Sequence, residues 1–520
     1  MSRESFFLID DDQVQWSRGR RVVTLLIVLI GMFLYATVGV DEARADALPA
    51  MLMSITAWVT VLGVGMFRDL NGQIRVGDPL VMMLAIYFYY FINPGITWLH
   101  GANLALSGPA TVIISSELVS QIQTLHVIFM LIASGAYFAV VRPFRVQRMS
   151  AEEAEAWLPA PRTVLLIAFV PLLLVIVQRI VSDGTILPTR NYGAEWQSGQ
   201  ESMNEARRVG GGDQVALQLF SKIYFVPAIL QGLGLGVWLC RSIARRSRWG
   251  LALFAVTMPV VMLLAGGARS GVALPFLMAV LIADHLVGPL RWRWILAGAL
   301  VGLTFFNAFA VYRGVQDQGF SRAVESTREQ LATEREASQA STEDSVMLVK
   351  EALMVTLVDR GAPTHGGIYF VENVLSLLPQ QMYPDKLLWV PTGAQLTRLL
   401  IGRTAADEGT SGVAGSIVAD GYQIERELGL MILALVMGAI YGLAARAVGI
   451  GAGHPRRAQL VQLCIFLTYV PQAYNYVRSD LGQVLVQLLY HLLIPLAGAK
   501  MLRGVVSGEA WYRPVEVRSR

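Results

Sequence analysis

The chain has 520 residues, of which 54% are hydrophobic and 15% are charged, and its net charge is only +4. This composition lies outside the usual range of soluble globular domains and predicts one polytopic membrane body instead of several soluble domains. The two cysteines, Cys240 and Cys464, both fall inside apolar segments. They offer no disulfide framework and no metal-ligand spacing.

Apolar segments follow one another along most of the chain. A helix needs roughly 20 mostly apolar residues to cross a bilayer, and about 12 segments approach that length. The sequence therefore predicts an all-α polytopic membrane protein with about 12 transmembrane helices. The predicted spans are Val22–Val40, Pro49–Phe67, Pro79–Leu99, Ile122–Val141, Val164–Val181, Leu219–Cys240, Leu251–Ala265, Val272–Val287, Trp294–Tyr312, Leu428–Ala447, Leu460–Ala473 and Leu481–Leu502.

Lysine and arginine mark alternate loops and set the predicted orientation. Basic residues cluster in the loops that follow even-numbered spans and in the C-terminal tail, which places both termini on the cytoplasmic side. The polar inserts then lie outside, and a loop as long as the second one is typically functional. The predicted organisation is helices 1–9 in residues 1–312 with a smaller outer insert at about 182–218, a large outer loop at 313–427, helices 10–12 at 428–502, and a cytoplasmic tail at 503–520.

Several arginines lie at the predicted outer ends of helices, where positive charge is scarce. A planar, permanently charged guanidinium is the natural bidentate partner of a phosphate. If these arginines converge, they form a pyrophosphate site; the alternative for each one is a snorkelling or ion-paired residue at a helix end. The candidates are Arg269, Arg313, Arg360, Arg398, Arg403 and Arg478.

The large insert also carries groups suited to acid–base chemistry. An attacking hydroxyl needs a base, and His365, Asp359 and Asp420 are the candidates. His365 is equally interpretable as a turn residue beside Pro363, and spacing alone does not choose among the three. Tyr422 belongs to a set of aromatic residues near the outer ends, for which stacking on sugar rings competes with a simple interfacial belt.

Short motifs in the second half of the chain resemble the oligosaccharide repeat-unit polymerases (Wzy-type O-antigen and exopolysaccharide polymerases). The motifs are Gly267-Ala268-Arg269-Ser270-Gly271, Leu378-Pro379 with Tyr383-Pro384-Asp385-Lys386, Gly409-Thr410-Ser411, Ala419-Asp420-Gly421-Tyr422, Glu427-Leu428-Gly429 and Tyr476-Val477-Arg478-Ser479-Asp480. The first half of the chain matches this family only as apolar spans.

The resemblance implies a metal-independent membrane glycosyltransferase with no cofactor, similar to the lipid-donor (GT-C-like) class. A glycan on undecaprenyl pyrophosphate would be the donor and a lipid-linked repeat unit the acceptor, at the periplasmic face of the bacterial inner membrane. The arginines would hold the leaving pyrophosphate, and one of His365, Asp359 or Asp420 would take the acceptor proton. A chain-length regulator and a repeat-unit flippase are the implied protein partners, within a lipid bilayer; no nucleic acid is expected.

Two alternatives remain at this point. An O-antigen ligase would use the same donor and similar outer-loop residues, although the local motifs favour a polymerase. A secondary transporter or flippase of polysaccharide precursors would place ionisable residues or broken helices near the membrane midplane. The predicted spans are poor in central charge, which speaks against transport.

Overall fold

The computed structural model describes residues 18–68, 79–101, 114–141, 226–265, 269–286, 346–361, 366–375, 416–447 and 481–498, with some single positions between these ranges. Throughout these ranges the secondary structure is helical, with no strand. The predicted all-α class is therefore confirmed for this part of the chain. The helices are α1 (Arg18–Thr37), α2 (Leu48–Arg68), α3 (Pro79–Tyr87), α4 (Asn93–Leu99), α5 (Ser116–Val140), α6 (Val226–Ala244), α7 (Arg248–Ala265), α8 (Arg269–Leu286), α9 (Val346–Asp359), α10 (Gly366–Leu375), α11 (Ile417–Ala447) and α12 (Leu481–Gln487).

Four described helices are long and apolar enough to cross a membrane by length and composition: Gly19–Thr37, Glu42–Arg68, Ser116–Val140 and Ile417–Arg446. They agree with a polytopic membrane protein, whereas the full count of about 12 spans stays a prediction. The predicted span Trp294–Tyr312 lies outside the described residues. The structure leaves the predicted division into an outer loop and flanking helices untested.

Two predicted spans contain a π-helical turn that ends two residues before a proline. A π-helix from Phe88 to Ile92 joins α3 to α4, and Pro94 follows it. In the last span, a π-helix from Leu488 to Leu493 follows α12 and precedes Pro495. Since proline lacks an N–H and crowds the preceding turn, a wider turn lets the span continue without a break.

The centre of the bundle is the long contact between α5 and α11. Gly438 of α11 lies so close to α5 that an added Cβ would clash with the carbonyl oxygen of Ala133. Small residues at such crossings allow membrane helices to approach backbone to backbone. Further contacts join α2 to α5 and α6 to α8, and the buried apolar side chains of these helices form one continuous core.

Two segments of the predicted outer loop enter this core. Helix α9 packs against α5 and α11, and its residues Leu348, Val349 and Ala352 are fully buried. Helix α11 is broken at Glu425 and Arg426, whose dihedral angles are not helical. The break divides α11 into a short arm (417–424) and a long arm (427–447). Gly421 in the short arm touches Leu430 in the long arm, so the two arms fold back on one another as a hairpin.

Candidate functional site

Helix α5 provides a depth scale for the polar residues inside the bundle. It has 25 residues, and at 1.5 Å per residue its length is about 37 Å. Gln121 lies about 7.5 Å from its start and His126 about 15 Å from it. We call the end of the bundle where α5 begins the Ser116 end. The charge pattern predicts that this end faces outward.

A buried cluster of polar side chains lies at the depth of His126. Nε2 of His126 lies 2.6 Å from Oε2 of Glu351, and the two side chains are only 1% and 2% exposed. With Glu351 as a carboxylate, His126 donates this bond. The hydroxyl of Tyr87 contacts Nδ1 of His126 and lies 3.0 Å from the histidine carbonyl oxygen. The other ring nitrogen of His126 is therefore also engaged.

Ser416 connects the buried cluster to the start of α11. Its hydroxyl donates to Oε1 of Glu351, and its Oγ accepts the backbone N–H of Ala419 at 3.0 Å. This second contact is an N-cap, which satisfies an otherwise orphaned donor in the first helical turn. The buried cluster, defined as Tyr87, His126, Glu351 and Ser416, therefore joins four separate chain segments at one point.

A second cluster lies at the level of Gln121 and consists of Gln121, Asp359 and Tyr422; we call it the end cluster. The hydroxyl of Tyr422 donates to Oδ1 of Asp359 at 2.8 Å. The Gln121 side-chain amide lies 2.9 Å from Oδ2 of Asp359 and 3.2 Å from the Tyr422 oxygen. Tyr422 is buried, whereas Asp359 is exposed. The cluster thus holds a solvent-accessible carboxylate in a fixed orientation.

The end of α9 presents Asp359 and Arg360 to solvent. The helix stops because Gly361 takes a positive φ of 92°, a conformation that favours glycine at a helix C-terminus. The N–H of Gly361 bonds to the carbonyl of Val358 at 3.1 Å. Arg360, a predicted phosphate ligand, is exposed directly beside the end cluster in the chain.

The hairpin tip of α11 adds charge beside the end cluster. Arg426 and Glu427 lie close enough to act electrostatically on Tyr422, with opposite sign. Arg426 has a φ of 48°, in the left-handed region that bulky residues seldom occupy. Such a conformation is retained only where surrounding contacts hold it, as they do between the closely packed arms.

Asp420, a predicted base, is placed differently from Asp359. It is fully buried, and its Oδ2 accepts the backbone N–H of Leu481 at 2.5 Å, at the first residue of α12. A carboxylate at a helix start satisfies a free donor and faces the positive end of the helix dipole. The contact ties the short arm to the last span, and of these two carboxylates Asp359 is the accessible one.

Among the residues predicted from sequence, the structure brings Asp359 and Tyr422 together and places Arg360 beside them. Arg269 begins α8, but its side chain lies outside what the structure describes, as do all of His365, Arg313, Arg398, Arg403 and Arg478. Within the described ranges, no three His, Cys, Asp or Glu side chains gather in a metal-binding group.

The sequence interpretation missed the buried cluster and Gln121. A usable signal was present, because His126 and Glu351 are ionisable residues inside mostly apolar helices. Ionisable residues in such segments are commonly functional. Their pairing could not be deduced from spacing, since they are 225 positions apart in the chain.

Comparison with protein-family models, with curated proteins and with solved structures finds no match to this chain.

Proposed function

We propose that the chain is a membrane glycosyltransferase that polymerises undecaprenyl-pyrophosphate-linked oligosaccharide repeat units at the periplasmic face of the inner membrane. The product would be O-antigen, capsule or exopolysaccharide. One observation carries the proposal: Asp359 and Tyr422, named separately by the sequence as a base and a substrate-binding residue, are hydrogen-bonded to one another at the Ser116 end. The motif resemblance supplies the class of reaction.

In this reaction an acceptor hydroxyl oxygen attacks the anomeric carbon of the donor glycan. The bond from that carbon to the pyrophosphate oxygen breaks, and its electron pair leaves with undecaprenyl pyrophosphate. Asp359 takes the hydroxyl proton. Gln121 and Tyr422 each donate a hydrogen bond to one of its oxygens, which fixes the direction of the remaining lone pairs.

Arg360 gives the leaving pyrophosphate a positive partner beside Asp359. Stabilisation of a departing anion by a fixed cation is often the largest catalytic contribution. A guanidinium can bind two phosphate oxygens at once. The proposal keeps the other predicted phosphate ligands, which are Arg269, Arg313, Arg398, Arg403 and Arg478. It also keeps His365 and Asp420 as the other candidate bases.

The test is polymerisation by purified protein in lipid vesicles, with an undecaprenyl-pyrophosphate-linked repeat unit as donor and acceptor. Wild type should give a ladder of products. Asp359→Asn should lower the rate by about 10²- to 10⁴-fold, the usual contribution of a general base. Glu117→Gln, an exposed carboxylate on the first turn of α5, is the matched control and should retain the rate.

Three results would overturn the proposal. Transfer to a lipid A core acceptor without polymer would identify a ligase. Full activity of Asp359→Asn would show that the hydrogen-bonded Asp359 is not the base. An absence of glycosyl transfer to every acceptor would exclude the enzyme class.

Transport is the second candidate, because the described structure contains two features expected of a transporter. These are the buried His126–Glu351 pair and the broken helix formed by the two arms of α11. A transporter would move lipid-linked oligosaccharide, or a proton, across sealed vesicles without forming a glycosidic bond. Flux that is lost in Glu351→Gln, with no polymer formed by wild type, would establish it.

A further inference from the structure

The buried cluster and the end cluster share three chain segments, and Tyr87 adds a fourth segment to the buried cluster alone. Each of the three shared segments contributes one residue to each cluster. The pairs, with the buried residue first, are His126 and Gln121 in α5, Glu351 and Asp359 in α9, and Ser416 and Tyr422 in the short arm of α11. The two clusters are therefore two levels of cross-links between one set of segments.

Helical geometry connects the two levels. Glu351 precedes Asp359 by eight residues in one helix, which is about 12 Å along its axis. Ser416 caps the short arm whose second turn carries Tyr422. Because a helix of this length is stiff, the position of each buried residue determines where its partner in the end cluster lies.

The apolar contacts of α9 do not specify its position as sharply. Val355 and Val358 are buried together with the apolar residues nearer Glu351, and ten of the 14 residues of the helix are apolar. A shift by one residue moves a helix about 1.5 Å along its axis and turns it about 100°. Such a shift exchanges one apolar contact for another, but it breaks every bond that Glu351 makes. Buried polar groups are best established as devices that specify one register.

We infer that His126, Glu351 and Ser416 are positioning residues: they fix the register of α9 and of the short arm, so that Asp359 and Tyr422 meet Gln121. They touch no reacting atom. The geometric part of this inference stands by itself, and the kinetic part rests on the proposed glycosyl transfer.

Spin labels test the geometry without any assay of activity. Cysteines are introduced at Glu117 in α5 and Arg360 at the end of α9, both exposed, with Cys240 and Cys464 replaced by alanine. Electron–electron distance measurements on the full chain in lipid should give one narrow distance for this pair. The double variant His126→Leu with Glu351→Leu fills the same space with apolar groups and keeps the protein folded. Its distance distribution should broaden or split.

Two further variants bracket this result. The glutamine of Glu351→Gln can accept a hydrogen bond from His126 and donate one to Ser416, so this variant should keep the narrow distance. Ser54→Ala removes another buried polar contact to α5, the 2.8 Å bond between Ser54 and Gln123, and should leave the distance unchanged. A narrow, unshifted distance in the folded double leucine variant would overturn the inference.

Kinetics provide the second readout. In the double leucine variant the kcat of polymerisation should fall at least tenfold while KM stays within about twofold, because the acceptor still binds but its base is misplaced. If wild type forms no polymer, the proposed function fails while the spin-label result still decides the positioning role. If wild type forms polymer and the double variant keeps its kcat, the positioning role fails while the proposed function stands.

Discussion

The two polar clusters differ in access although they share the same three segments. In the buried cluster, His126 and Glu351 are almost completely enclosed, and the serine hydroxyl occupies the remaining carboxylate oxygen of the pair. In the end cluster, Asp359 is exposed while Tyr422 behind it is buried. A closed cluster can hold the backbone in place, whereas an open one can reach a substrate. Helix α9 thus contributes Glu351 to a cluster suited to positioning and Asp359 to a cluster suited to chemistry.

The largest expected effect on the rate of transfer comes from a substitution in the end cluster. Asp359→Asn removes the only ionisable group of that cluster that solvent reaches, and transfer should slow by about 10²- to 10⁴-fold. Its melting temperature should stay close to that of wild type, because an exposed side chain contributes little to packing. Rate and melting curve measured on the same preparation check both parts. A large drop in melting temperature would assign Asp359 to structure instead.

A substitution in the buried cluster should instead lower the stability of the fold. Glu351→Ala leaves the enclosed His126 without its partner and should destabilise the fold by about 3–5 kcal/mol. Chemical or thermal unfolding in detergent measures this loss. The double variant His126→Leu with Glu351→Leu is the control and should recover most of the stability. Equal losses in the single and double variants would contradict the interpretation that these two buried polar side chains satisfy one another.

A change in the packing between α5 and α11 should have a smaller effect on stability. Gly438→Ala places a methyl group against the Ala133 carbonyl and should cost about 1–3 kcal/mol by forcing α5 and α11 apart. The matched control is Gly135→Ala in α5, where an added Cβ meets nothing within 4 Å. Unfolding of the two variants side by side separates the clash from the general effect of losing a glycine. Equal stability would show that the crossing is looser than described.

Gln121→Leu should give the smallest effect. It removes one donor to Asp359 and one contact to the Tyr422 oxygen, bonds that contribute about 0.5–1.5 kcal/mol each in proteins. Turnover should fall by up to about tenfold, and the free energy of unfolding should fall by no more than these bonds contribute. Steady-state rates on the lipid-linked substrate measure it. A loss as large as that of Asp359→Asn would make Gln121 part of the chemistry.

The sequence predicted the helical class and the location of several spans because apolar length is a local property. It also selected Asp359 and Tyr422, both polar groups in a segment predicted to lie outside. The start of α5 was predicted at Ile122, but the helix begins at Ser116. The polar residue Gln121 ended the apolar run, and only the structure shows that the helix continues through it to Ser116.

Other features depended on contacts between distant parts of the chain. The break in α11, at Glu425 and Arg426, precedes Leu428, where the span was predicted to begin. Ser416 is a typical N-cap residue before Ile417, but the local pattern does not reveal that the chain folds back after the first two helical turns. The π-turn before Pro94 had a local signal in the proline itself. The partnership of His126 with Glu351 had none, because each residue taken alone is merely a polar group within an apolar helix.

The most direct test of the account is a double-mutant cycle on the rate of polymerisation. Ser416→Ala removes the link of the short arm to the closed cluster, and Tyr422→Phe removes its link to Asp359. If the two clusters are coupled through the short arm, Tyr422→Phe should lower the rate much less in the Ser416→Ala background than in wild type. The interaction energy should be at least about 0.5 kcal/mol. Additive effects, or no polymerisation by wild type at all, would contradict it.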